Sequence, residues 1–186
     1  MTAPRMAGTG SLPDGRRLTW TVAEGRRGRR WREVLVHGPH TIHALLLETD
    51  TDRRFSHLEL ARADGLWTFH PEADGTLHGN HVGVGDGVRH VDGWAFAPDD
   101  ILLIEGSPLS SAAIAWARGT AIQAGSVTDV AGVVVRSDGE LDRLAAIRIE
   151  RLDGGRWRVG EGSVFEIDES GLPVLDHGVS EPLELG

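Results

Sequence analysis

Short stretches of alternating apolar and polar residues run along most of this chain, and a single segment breaks the rule. Residues 18–23 and 31–37 alternate as strands do, while 41–49 is more apolar than a half-exposed strand requires. In 55–62 the alternation sets Phe55, His57 and Glu59 on one face and Ser56, Leu58, Leu60 and Arg62 on the other. Asp-Gly and Gly-Asp pairs then recur: Asp64-Gly65, Asp74-Gly75, Gly85-Asp86-Gly87, Asp92-Gly93, Asp138-Gly139 and Asp153-Gly154-Gly155. Such pairs tolerate positive φ and mark hairpins, so their spacing predicts an antiparallel meander. Between and beyond them lie candidate strands at 65–70, 76–84, 88–96, 101–105, 127–136, 144–152, 156–161, 164–168 and 172–175. Residues 141–152 also fit helical spacing, but 147–152 alternates cleanly, which favours a strand.

The exception is 107–119. Ser107 suits a helix N-cap, Pro108 the first helical position, and Gly119 a left-handed stop, with Arg118 complementing the negative end of the dipole. Between those signals the segment is apolar on nearly every side. A helix of that kind is stable only when enclosed. The pattern therefore predicts a mainly β protein whose sheet is wound around one central apolar helix.

Three segments sharpen that picture: Asp64-Gly65-Leu66-Trp67-Thr68, then Gly106-Ser107-Pro108-Leu109-Ser110-Ser111, and the closing run from Phe165 through Asp176. Their order and character resemble the glycolipid-binding family with the spiral β-roll fold. The resemblance implies a long antiparallel sheet (a spiral β-roll) around one helix, a lipid-like or glycolipid-like ligand, and a homodimer.

Length fits one domain over residues 16–186, with residues 1–15, rich in small residues, as a flexible leader. There is no cysteine, hence no disulfide framework and no thiolate chemistry, in keeping with a cytoplasmic location. The leader carries no continuous apolar run to act as a signal peptide, and nowhere is there an apolar stretch of the roughly 18 residues a spanning helix needs. A net charge of −9 argues against nucleic acid as a partner. The contrary cluster Arg26-Arg27-Gly28-Arg29-Arg30-Trp31-Arg32 reads as a solvated loop and strand start. No nucleophile elbow, phosphate loop or dinucleotide fingerprint occurs, so no cofactor is expected.

The polar stretch 76–96 carries the candidate chemistry. Alternation places His78 and Asn80 together on one strand, and His90, Asp92, Trp94 and Phe96 on one face of the next. Paired as a hairpin, they would form a wall able to hold a ligand with both apolar bulk and hydroxyl groups. Glu105, just before the helix, and Trp116, riding on it, complete the expected ligand-binding set: His78, Asn80, His90, Trp94, Phe96, Glu105 and Trp116. His37, His40 and His43, and likewise His78 and His81, are spaced three apart, which on strands points them to opposite faces, so no metal site is expected. The six tryptophans either pave a cavity or fill the core.

The leading expectation is a binder of a hydrophobic or amphipathic small molecule, held between curved sheet and central helix. The alternative is a cofactor-free isomerase, cyclase or hydratase in the same cavity, with His78, His90, Asp92 and Glu105 moving protons. Whether the chain is an enzyme stays open at this level.

Overall fold

The computed structural model describes residues 5–85, 87–119, 121–175 and 179–182, with the side chains of Asp92 and of 179–182 outside that description. The chain is mainly β, with antiparallel sheets and, among the described residues, one helix. It divides into two compact units: one runs to Ala97 and takes in the C-terminal strand, the other is Pro98–Val174.

The first unit holds β1 (Arg5–Ser11), β2 (Arg17–Gly25), β3 (Gly28–His37), β4 (His40–Thr49), β5 (Phe55–Arg62), β6 (Gly65–Pro71), β7 (Thr76–Gly83) and β8 (Gly87–Ala95). They pair antiparallel with their sequence neighbours, as hairpins must, and β15 (Val179–Pro182) closes the far edge on β1, giving nine strands. Residues 5–11 are thus a paired strand and not the mobile leader expected of them. Backbone ladder bonds on both sides outweigh a bland sequence of small residues.

Alternation buries one face. Leu18 and Trp20 on β2, Trp31 and Leu35 on β3, Leu58 and Leu60 on β5, and Trp67 and Phe69 on β6 are at most 2% exposed. Gly79 is strand interior because Phe69 needs its space: a Cβ there would lie 2.6 Å from the ring. The arginine cluster is only partly solvated. Arg29 is buried and sets its guanidinium 4.3 Å above the Trp31 ring, a stacked arrangement that replaces part of its hydration.

The second unit comprises β9 (Ile101–Ile104), α1 (Pro108–Arg118), β10 (Ser126–Val135), β11 (Leu141–Arg151), β12 (Arg156–Val159), β13 (Phe165–Ile167) and β14 (Pro173–Val174). Its six strands lie in the order β14-β13-β12-β11-β10-β9. Residues 141–151 are a strand, as alternation favoured. One pairing departs from the expected meander: β9 and β10 are parallel, with Ile101 opposite Gly132 and Ile104 opposite Val135. Parallel neighbours need a crossover, and α1 is that crossover. All four residues of β9 are buried accordingly.

The helix is sequestered as its composition demands. Leu109, Ser110, Ala112, Ala113, Ile114 and Ala115 are buried and no residue of it is fully exposed. It packs on β9, β12, β13 and β14. Ser107 caps it, accepting from the Ser110 N–H at 3.0 Å. Gly119, however, stays right-handed at φ −58°, its N–H reaching the Trp116 carbonyl, so the expected left-handed stop is absent. Arg118 donates to the Asp99 carbonyl and does more than neutralise a dipole. No described helix is long and apolar enough to cross a membrane.

Candidate functional site

Where β9 ends and α1 begins, the second unit opens a cleft of about 510 Å³. Its floor comes from Leu103 on β9, Val134 on β10, Leu144 and Ile147 on β11, and Val159 on β12. Leu103 and Val134 face the cleft together because the parallel register sets them side by side. Gly160 forms part of the lip, its N–H bonded to the Arg148 carbonyl at 2.8 Å, and a Cβ there would press on Leu103 at 3.2 Å. Glu105, Ser111, Arg136, Arg148 and Glu161 supply the polar rim. Such a volume lies within the range that small-molecule sites occupy.

Glu105 is the one expected site residue that lines this cleft, and its role is fixed by its partners. Oε2 accepts the Ser137 N–H at 2.8 Å and Oε1 accepts from Arg136 at 3.1 Å. The Ser137 N–H, opposed by partial burial and aided by Arg136, holds the carboxyl below the ordinary carboxylate range. Arg136 is itself bound to Asp142 at 2.7 Å. Glu105 is therefore a fixed anion that fastens the end of β9 to the turn after β10.

In the first unit, His78, Asn80 and His90 come together as the hairpin reading expected. Asn80 lies opposite His90 in the β7–β8 register. His90 Nδ1–H donates to Asn80 Oδ1 at 2.6 Å, and Asn80 Nδ2–H donates to His78 Nε2 at 3.3 Å. The His70 ring lies 5.1 Å from that of His78, continuing the row onto β6. The face is partly open, and His90 is exposed.

The remaining expectations are corrected by the packing. A bulge at Asp92-Gly93, where Gly93 adopts φ +81°, shifts the register so that Trp94 pairs with the buried Leu77. Trp94 thereby lies on the face opposite His90, and the predicted wall does not form. Phe96 is buried against Phe55, ring centroids 5.7 Å apart. The Asp92 side chain lies outside the described residues. Trp116 is half-buried and lies over Gly171, where a Cβ would meet its ring at 2.3 Å, and it does not line the cleft. Among the described residues no group of three metal-capable side chains is gathered.

Two features escaped the sequence reading. Glu33 and His43 are buried together, His43 Nε2 bonded to Glu33 Oε1, at 1% and 4% exposure. Trp67 and His81 stack at 4.1 Å on the same buried face, and Trp67 Nε1 and His81 Nε2 find no hydrogen-bond partner among the described residues. An ionisable residue at an inward position of the alternation (Glu33 between Trp31 and Leu35, His43 before Leu45) was the available signal.

No family model matches this chain, and no curated protein does. Among solved structures it is similar to the crystal structure of a DUF1089 family protein from Pseudomonas aeruginosa, at 18% identity and a TM-score of 0.46, over 93% of this chain and 88% of that one.

Proposed function

We propose that this chain binds a lipid-like or glycolipid-like small molecule in the cleft between the start of α1 and the six-stranded sheet. The observation that carries the reading is a cleft of about 510 Å³ with an apolar floor and a charged, hydroxyl-bearing rim. Leu103, Val134, Leu144, Ile147 and Val159 would take the apolar portion, and Ser111, Arg136 and Arg148 the polar head. Covering roughly 200 Å2 of ligand hydrocarbon at about 25 cal/mol per Å2 contributes about 5 kcal/mol before ordering costs. Binding takes precedence over a cofactor-free isomerase, cyclase or hydratase because, of His78, His90 and Glu105, only Glu105 lines this cleft, and its carboxylate is engaged by the Ser137 N–H and Arg136.

Thermal unfolding with octyl glucoside and with decanoate, both below their micelle concentrations, tests this. A ligand that binds only the folded state adds about 2.7 kcal/mol at about a hundred times its Kd, a readily seen rise in Tm. Ala146 lines the cleft and is exposed, so Ala146→Trp fills the cleft without disturbing the core. That variant is expected to keep its own Tm and lose the response. No stabilisation by either probe, or stabilisation untouched by Ala146→Trp, would overturn the proposal. The homodimer implied by the family resemblance and a cytoplasmic site of action, suggested by the cysteine-free composition, belong to the same reading. Light scattering on the purified chain checks the first.

A further inference from the structure

The β2–β3 hairpin gathers a cluster of arginines. Arg26 and Arg27 occupy its turn and Arg29 and Arg30 open β3. Arg5, Ala23 and Arg30 are successive cross-strand partners, so Arg5 and Arg30 emerge on one face. These five arginines, with Glu24, Glu48, Asp50 and Ser56, line a cleft of about 520 Å³ in the first unit. A smaller depression of about 220 Å³ shares Arg5 and Arg30 and adds Arg32.

The hairpin is held in place by geometry. Gly28 has φ +118°, and a Cβ there would lie 2.0 Å from the Thr49 carbonyl oxygen, so only glycine lets this turn lie against the end of β4. Five arginines against three carboxylates leave an excess of two positive charges, in a chain whose net charge is −9. The carboxylates are also partly committed: Glu48 accepts from Arg30 at 2.5 Å, and Asp50 Oδ1 accepts the N–H groups of Asp52 and Arg54. Among the described residues, the side chains of Arg5, Arg26 and Arg27 make no hydrogen bond or ion pair.

Convergent guanidinium groups repel one another unless an anion lies between them, and their planar forks match phosphate oxygens two at a time. We propose that this cleft binds the phosphate group of a small anionic ligand, with Arg5, Arg26 and Arg27 as its principal donors. The volume exceeds that of bare phosphate and admits a diphosphate or an organic phosphate. The site lies in the first unit and shares no residue with the cleft invoked for the amphipathic ligand, so either proposal can fail alone.

Calorimetric titration of the full chain with pyrophosphate at low ionic strength tests it. The expected result is saturable binding that weakens with salt, falls at least about tenfold in R26A/R27A, and strengthens in E24Q. Both arginines are exposed turn residues, and an unchanged circular dichroism spectrum establishes that the double variant is folded. A parallel arm measures co-sedimentation with phosphatidylcholine vesicles, with and without phosphatidic acid. Binding only to phosphatidic acid vesicles, lost in R26A/R27A, supports the proposal and assigns the phosphate to a lipid headgroup. Absence of binding in both arms, or binding indifferent to R26A/R27A, overturns it. So does tighter binding of a short single-stranded oligonucleotide than of pyrophosphate through the same arginines.

Discussion

The buried pair Glu33–His43 makes a quantitative test of how the nine-stranded sheet is stabilised. Each side chain points into an apolar face: Leu45 lies opposite Glu33 and Leu35 opposite His43. Neither can reach bulk water, at 1% and 4% exposure. Glu33→Ala removes the acceptor of the His43 N–H and leaves that donor stranded, which costs about 1–3 kcal/mol, with a further 1–2 kcal/mol or so from lost methylenes and the cavity. His43→Ala takes a donor from the buried Glu33 carboxylate. In a chain of 186 residues each kcal/mol lowers Tm by roughly 2–4 °C, so each single variant is expected to melt about 5–15 °C lower. The double variant suffers both cavities but leaves neither member of this pair facing the gap left by the other. Its cost should therefore fall short of the sum of the singles by about 1–3 kcal/mol. Urea unfolding of the four proteins at neutral pH, followed by tryptophan fluorescence at constant m, reads this difference directly. Additivity within about 0.5 kcal/mol would refute the reasoning, since it would mean that the two groups do not depend on each other.

Glu105 makes a pH-dependent contribution whose sign follows from its lowered folded pKa. The stabilisation is present above the ordinary carboxylate range and is lost as pH falls through the folded value. The urea midpoints of wild type and Glu105→Gln should therefore differ most at neutral pH and converge in acid; a constant gap would contradict the assignment. Gly79→Ala is expected to destabilise by about 1–3 kcal/mol in thermal unfolding, because the new Cβ meets the Phe69 ring at 2.6 Å, and Phe69→Leu in the same chain should recover part of the loss. Ser107→Ala removes the acceptor for the Ser110 N–H at 3.0 Å and should cost about 1 kcal/mol in urea unfolding, a value that Ser107→Asp should largely restore.

The strand pattern was open to reading because a period of two survives in any sheet with one buried face. Leu18, Trp20 and Val22, or Leu58 and Leu60, reveal their inward face in the amino-acid order alone. Ser107 and Pro108 declared the helix start for a similar reason, since a cap acts within one turn of chain. The hairpin that sets Asn80 and His90 on adjacent strands also followed from local order, although their direct pairing is a matter of register that the structure supplied. Local order failed where one residue shifts the count: the bulge at Asp92-Gly93 carried Trp94 to the face opposite His90. It failed again at Gly119, whose right-handed conformation no stop signal announced.

What the sequence determined by itself was therefore the element types, the apolar face of each strand and the enclosure of α1, all set by interactions between residues close along the chain. Tertiary structure alone decided that β9 and β10 run parallel, that Glu105 is fastened to Ser137 and Arg136, and that Glu33 meets His43. It also brought Arg5 to the β2–β3 hairpin. Each of these joins groups on different strands or loops, where backbone pairing and burial set the geometry. No periodicity along a single segment carries that information.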